Sequence, residues 1–241
     1  MTVRWQTGIV RLRHTVSART DQSLVMDEHL EDAFFLRQDM VARQLRARGI
    51  RDERVQQAMA SVPRHSFIPS GDLKTAYGDH PVAIGHRQTI SQPYIVALMT
   101  ELIRPRPDSR VLDVGTGSGY QAAVLAELVD EVFTIEIVPE LATTARERLL
   151  ALGYQNIRFR SGDAFGGWPE AAPFDGIISA AAPAEIPAAL IDQLAPGGRL
   201  VMPVGTDSQR LVIVTKASDG TVTHEDAGAV AFVPMTGQAE H

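Results

Sequence analysis

The sequence predicts an α/β protein: a doubly wound, mostly parallel sheet with a helical subdomain before it and an antiparallel strand pair at its end. Three observations predict this. Residues 111–114 form a short apolar strand carrying Asp113, followed at once by Gly115, Gly117 and Gly119 and then by a helical pattern from Tyr120. Strand and helix patterns then alternate as far as Val204. Finally, Glu136 closes the second strand about twenty residues beyond Gly115, where open parallel sheets place a carboxylate that accepts ribose hydroxyls.

The chain-wide numbers fit one such domain. A length of 241 residues suits a single α/β unit with an appendage, and 44% hydrophobic with 22% charged residues allows both a core and solubility. Net charge is -6, which argues against broad attraction to nucleic acid or anionic membrane. The absence of cysteine excludes disulfides and thiolate metal sites, and no metal is expected. No apolar run reaches the length of a membrane span.

In chain order, residues 1–31 read as an N-terminal extension. Arg4, Arg11, Arg13 and Arg19 precede the first acid, Asp21, so the stretch superficially resembles a targeting leader but lacks a secretory apolar core. Residues 32–241 form one domain, with 32–104 a helical, substrate-side part and 105–241 the cofactor-binding sheet. Phe34, Phe35, Val41 and Leu45 predict a helix over 32–48, stopped by Gly49. Asp52 caps a second helix, ended by Pro63. His65 follows among prolines, where a structural role is the simpler reading, since no acid–base partner stands nearby. Residues 77–92 read as a loop of turn formers leading into a helix over 94–104. Ser91 there has two readings: N-cap of that helix, or a hydroxyl aimed into a pocket.

The glycine turn opens the sheet's binding rim. Bare backbone there lets a ligand approach closely, and the following helix presents unpaired N–H groups. The run is G-x-G-x-G rather than G-x-G-x-x-G, and without a Lys-Ser or Lys-Thr pair it is not a P-loop. Helices over 120–129, 139–152 and 184–194 alternate with strands over 131–137, 157–160, 174–179 and 195–204. Asp163 sits after the third strand, either as a turn aspartate or as an acceptor for an adenine amino group. Strands over 211–216 and 222–233 close the chain. A hydrolase reading fails, because Ser118 lacks the G-x-S-x-G frame.

The G-x-G-x-G turn with Asp113 before it resembles the motif of class I methyltransferases that use S-adenosyl-L-methionine. From about Met40 to Gly237 the chain resembles the protein-L-isoaspartate O-methyltransferase family more specifically. The matching residues are Val62-Pro63-Arg64 with Phe67, the Tyr77/Asp79/Pro81 spacing and Gln88-Thr89-Ile90-Ser91-Gln92-Pro93. They continue through Asp113 to Tyr120, Ala180 to Pro183, Pro196-Gly197-Gly198 and Phe232-Val233-Pro234-Met235-Thr236. The resemblance implies methylation of the α-carboxylate of L-isoaspartyl residues in damaged proteins and peptides, with repair through a succinimide. It implies Ser91 as the active-site residue. Cofactor contacts are expected from Gln88, Thr89, Ile90, Ser91, Asp113, Gly115, Gly117, Gly119, Glu136, Asp163, Ala164 and Thr236. It further implies a cytoplasmic monomer without nucleic-acid or membrane partners, and last two strands swapped relative to most class I methyltransferases. Arg87 departs from the pattern, since bacterial members commonly carry glycine there. Two alternatives stay open. A nucleic-acid methyltransferase commonly carries Asp/Asn-Pro-Pro-aromatic after the fourth strand, where Ser179 to Pro183 lack the aromatic. A binding module would keep the pocket without turnover.

Overall fold

The computed structural model describes residues 21–69 and 72–240; the basic stretch 1–20 lies outside the described residues. Helix α1 (Asp21–Met40) begins N-terminal to the expected start at 32. It continues through one wide π turn (Val41–Leu45) and one tight turn (Arg46–Arg48), ending at Gly49 with φ +96, as the glycine stop predicts. Helix α2 (Glu53–Ser61) is capped as expected: the Asp52 carboxylate accepts from the Arg54 N–H. A short α3 (Leu73–Ala76) follows, capped by Asp72.

The stretch read as loop contains a hairpin, β1 (Val82–Gly85) with β2 (Gln88–Ile90). Its turn residues His86 and Arg87 take φ 50 and 58, the double left-handed conformation that two-residue hairpins require. Asn-Gly normally supplies that conformation, so the usual sequence signal is missing. Helix α4 (Pro93–Leu102) corrects the capping reading of Ser91. The N-cap is Gln92, which makes no side-chain cap bond and instead donates from Nε2 to Asp79 Oδ1 at 2.8 Å.

The sheet is built from β3 (Arg110–Val114), β4 (Glu131–Glu136), β5 (Ile157–Ser161), β6 (Phe174–Ser179), β7 (Leu194–Val204), β8 (Gln209–Lys216) and β9 (Val222–Val230). Their order is β5-β4-β3-β6-β7-β8-β9, with β8 and β9 antiparallel and β9 at the edge. The intervening helices are α5 (Tyr120–Ala126), α6 (Pro139–Ala151) and α7 (Ala188–Asp192). The last is shorter than the expected 184–194 because Pro187 disfavours helix in the residue before it. Alternation along the strands splits the core in two. Val111, Val132, Ile178 and Val201 face one layer, while Leu112, Phe133, Ile177 and Leu200 face the other. With both faces covered, the central strands are continuously apolar. The chain leaves β3 first toward β4 and later returns to β6 on its other side. The rim above β3 is therefore a topological switch point, where such sheets bind ligands. Among the described residues no helix is long and apolar enough to cross a membrane.

Candidate active site

A cleft enclosing about 590 Å³, its open mouth included, lies on that rim. Its floor is the glycine turn. Gly115, Gly117 and Gly119 have φ of +89, +53 and +91, values that side chains rarely tolerate. Gly115 and Gly117 line the cleft. Gly119 does not; a Cβ there would stand 3.0 Å from Leu149 Cδ1, so its absence lets α6 pack against the start of α5.

Glu136 is nearly buried and faces the cleft. Its Oε2 accepts the Gly117 N–H at 2.7 Å and its Oε1 accepts the Val138 N–H at 2.9 Å. The carboxylate therefore pins the glycine turn to β4, and keeps spare lone pairs for a diol. Ala164 also lines the cleft. Asp163 realises the turn reading: its Oδ1 accepts from the Phe165 N–H and its Oδ2 from the Gln238 N–H, each at 2.8 Å. Thr236 reaches the cleft because the segment after β9 returns over the rim. There Met235 N–H donates to Ala182 O at 2.8 Å and Ala182 N–H donates to Val233 O at 2.9 Å.

Asp113 requires a correction. Period-two alternation turns Val114 toward the cleft and Asp113 away from it, so this acid does not line the cleft. It is fully buried, accepts from Thr134 Oγ1 at 2.9 Å, and Thr134 is joined to Thr116 Oγ1 at 2.6 Å. Its Oδ1 has no partner among the described residues. The chain braces the turn from below. Burial raises its pKa to about 7; the Thr134 hydrogen bond opposes this and the Glu136 charge adds to it. The folded state therefore keeps a proton that the unfolded state gives up near 3.8. Stability should fall as pH rises from about 4 to about 7 and then level off, by up to about 1.4 kcal/mol per pH unit. Asp113→Asn should flatten that slope in denaturant midpoints measured across the interval. An unaltered slope would remove this assignment.

The hairpin supplies the other wall. Gln88 and Thr89 line the cleft, and Thr89, Ile90 and Ser91 border a narrow gap against Gly115 and Gly117. Beyond that gap opens a wider groove with Thr89, Ser91, Tyr94, Ala180 and Phe232 in its walls. Ser91 lines the gap and the groove rather than the cleft itself, so it stands where groove meets gap, and its hydroxyl has no hydrogen-bond partner among the described residues. At the groove's edge Arg48 lies 3.7 Å from the Tyr94 ring centroid and pairs with Asp79 at 3.0 Å. His65 is elsewhere, its Nδ1 2.7 Å from the Tyr77 hydroxyl, in line with a structural role. Ala180, Val233 and Met235 also line the cleft. Their motifs stood out in the sequence, but no residue-level signal marked these apolar side chains as wall.

Comparison with known proteins agrees with this geometry. The profile of the protein-L-isoaspartate(D-aspartate) O-methyltransferase family matches residues 36–240. A protein-L-isoaspartate O-methyltransferase of Picosynechococcus sp. is 54% identical over 204 residues, covering 85% of this chain and 91% of the relative. That of Gloeobacter violaceus is 54% identical over 199 residues, covering 82% and 97%. Among solved structures, a Plasmodium falciparum protein assigned as a protein-L-isoaspartate O-methyltransferase, in complex with S-adenosyl-L-homocysteine, is 29% identical. It aligns with a TM-score of 0.73 over 83% of this chain and 98% of its own. The family match spans the hairpin, the glycine turn and the returning C-terminal segment, and the chain belongs to the protein-L-isoaspartate(D-aspartate) O-methyltransferase family.

Proposed function

We propose that this protein transfers a methyl group from S-adenosyl-L-methionine to the free α-carboxylate of L-isoaspartyl residues in damaged proteins and peptides. The observation that carries the reading is the Ser91 hydroxyl, which has no hydrogen-bond partner among the described residues and stands where the groove meets the gap leading to the glycine turn. The sulfonium donor supplies an already activated methyl group. Glu136 fits its ribose, the bare backbone of Gly115 and Gly117 fits its close approach, and Ala164 beside Asp163 fits the adenine end. Gln88 to Ser91 and Thr236 complete the wall. Residues 32–104 form the helical part on the acceptor side and 105–241 the sheet that holds the donor, although Gln88 and Thr89 also line the cleft and Ala229 to Phe232 also line the groove.

The acceptor needs no general base, because a carboxylate with pKa near 4 is ionised at neutral pH. What the chain must supply is in-line placement and dryness. Ser91 donates one hydrogen bond to the acceptor carboxylate, orienting an oxygen without quenching it as a contacting cation would. Once esterified, the carbonyl is attacked by the next backbone nitrogen, methanol leaves, and the succinimide hydrolyses partly to normal aspartate. The same reading takes the enzyme as a cytoplasmic monomer, and its net charge of -6 disfavours nucleic acid as substrate.

Methyl incorporation into an isoaspartyl peptide and its normal aspartyl twin tests the assignment. Turnover is expected for the first alone. Equal rates would point to another carboxylate specificity, and binding of cofactor without methylation of either would favour a binding module.

A further inference from the structure

Arg64 is the largest fully buried side chain among the described residues, at 0% exposure, and it sits behind the acceptor junction. Its Nε donates to Ala76 O at 2.7 Å and its Nη2 to Ser91 O at 2.8 Å. Its guanidinium carbon lies 4.9 Å from the ring centroid of Tyr120, the residue that follows the glycine turn. One side chain thus ties α3, Ser91 and the start of α5 together. It has no acidic partner among the described residues; the titratable groups against it include Tyr120 and Tyr77, and the Arg37 guanidinium also stands close to both tyrosines. Nη1 makes no hydrogen bond there either. A buried guanidinium without a counter-ion is costly. Carbonyl tethering alone does not require it, since a neutral donor would serve. Arg64 lines neither the cleft nor the groove, but through the Ser91 carbonyl it touches the residue on which the acceptor anion is expected.

We propose that Arg64 is a positioning residue for methyl transfer: it fixes the Ser91 peptide against the glycine turn, and its buried charge is balanced by the substrate carboxylate. The proposal rests on the reading of Ser91 given above. Arg64 acts through Ser91 and at a distance, so the carboxylate keeps its nucleophilic oxygen.

The test is calorimetric binding, with S-adenosyl-L-homocysteine present, of an isoaspartyl peptide and of its neutral α-carboxamide twin. The native protein should prefer the carboxylate form. Arg64→Met should reduce that preference by about tenfold, with S-adenosyl-L-homocysteine affinity unchanged within about twofold. A folded Arg64→Met protein that keeps the full preference overturns the proposal. Should Arg64→Met fail to fold, Arg64→Lys decides. It keeps the charge but lacks the planar fork, so the preference should survive while kcat drops about tenfold; an unchanged kcat, or a lost preference, overturns the proposal. Ser91→Ala measured in parallel separates the two readings. If that variant turns over normally while Arg64→Met has lost its preference, the charge balance stands and the Ser91 assignment falls.

Discussion

Ser91→Ala is expected to lower kcat/KM for an isoaspartyl peptide by about 100-fold, the order of loss when a reacting group is no longer held in line. S-adenosyl-L-homocysteine affinity and the thermal midpoint should stay near native values. The structure makes this a sharp expectation. A serine two residues before Pro93 is a natural helix cap, and losing a cap costs about 1 kcal/mol. Here α4 starts after Gln92 and no side chain caps it, so the Ser91 hydroxyl contributes nothing to that helix. The Ser91 carbonyl, not its hydroxyl, carries the bond to Arg64, and alanine preserves the carbonyl. The substitution therefore removes one group from the junction and leaves its framing intact. Steady-state kinetics with calorimetry and thermal unfolding on the same preparation decide. Native turnover in Ser91→Ala, or a loss of activity matched by loss of stability, would dismiss the acceptor role.

The parallel core was legible because its physics is local. Val111 to Val114 and Phe174 to Ser179 are short apolar runs bounded by glycine and turn residues, and Pro139 and Gly153 mark both ends of α6. The hairpin before α4 was not legible, since His86 and Arg87 accept left-handed strain that glycine or asparagine normally relieves. What holds that turn is the pairing of Val82 with Ile90 and of Ala83 with Thr89, a contact no local propensity reports. The site shows the same division. Glu136 was readable from its distance to the glycines. Asp113 was misplaced, although alternation along its own strand sends it to the opposite face from Val114. The cleft wall from Val233 to Thr236 depends on a bridge between Pro234 and Ala182, set by long-range packing and invisible in composition.

Glu136→Ala is expected to weaken S-adenosyl-L-homocysteine binding by about 100-fold or more, because the ribose role proposed for Glu136 would lose two charge-assisted hydrogen bonds together. Its effect on kcat at saturating cofactor should be small, since the proposed place of this carboxylate is at the sugar rather than at the transferred methyl. The geometry also makes Glu136→Gln informative. Both oxygens already accept backbone N–H groups, from Gly117 and from Val138. A glutamine amide has one acceptor and one donor, so whichever way it turns, its NH2 faces an N–H. The glycine turn must then shift, and an intermediate loss of affinity should follow even though size and most polarity are retained. A lost donor–acceptor match of this kind costs about 1–3 kcal/mol. Some of that appears as lower stability of the unliganded protein, so unfolding midpoints must be taken with and without ligand. Native affinity in Glu136→Ala would refute the ribose role and confine Glu136 to bracing the turn. Weakened affinity in Glu136→Ala but native affinity in Glu136→Gln would instead mean that one oxygen suffices for the sugar and that the turn tolerates the amide.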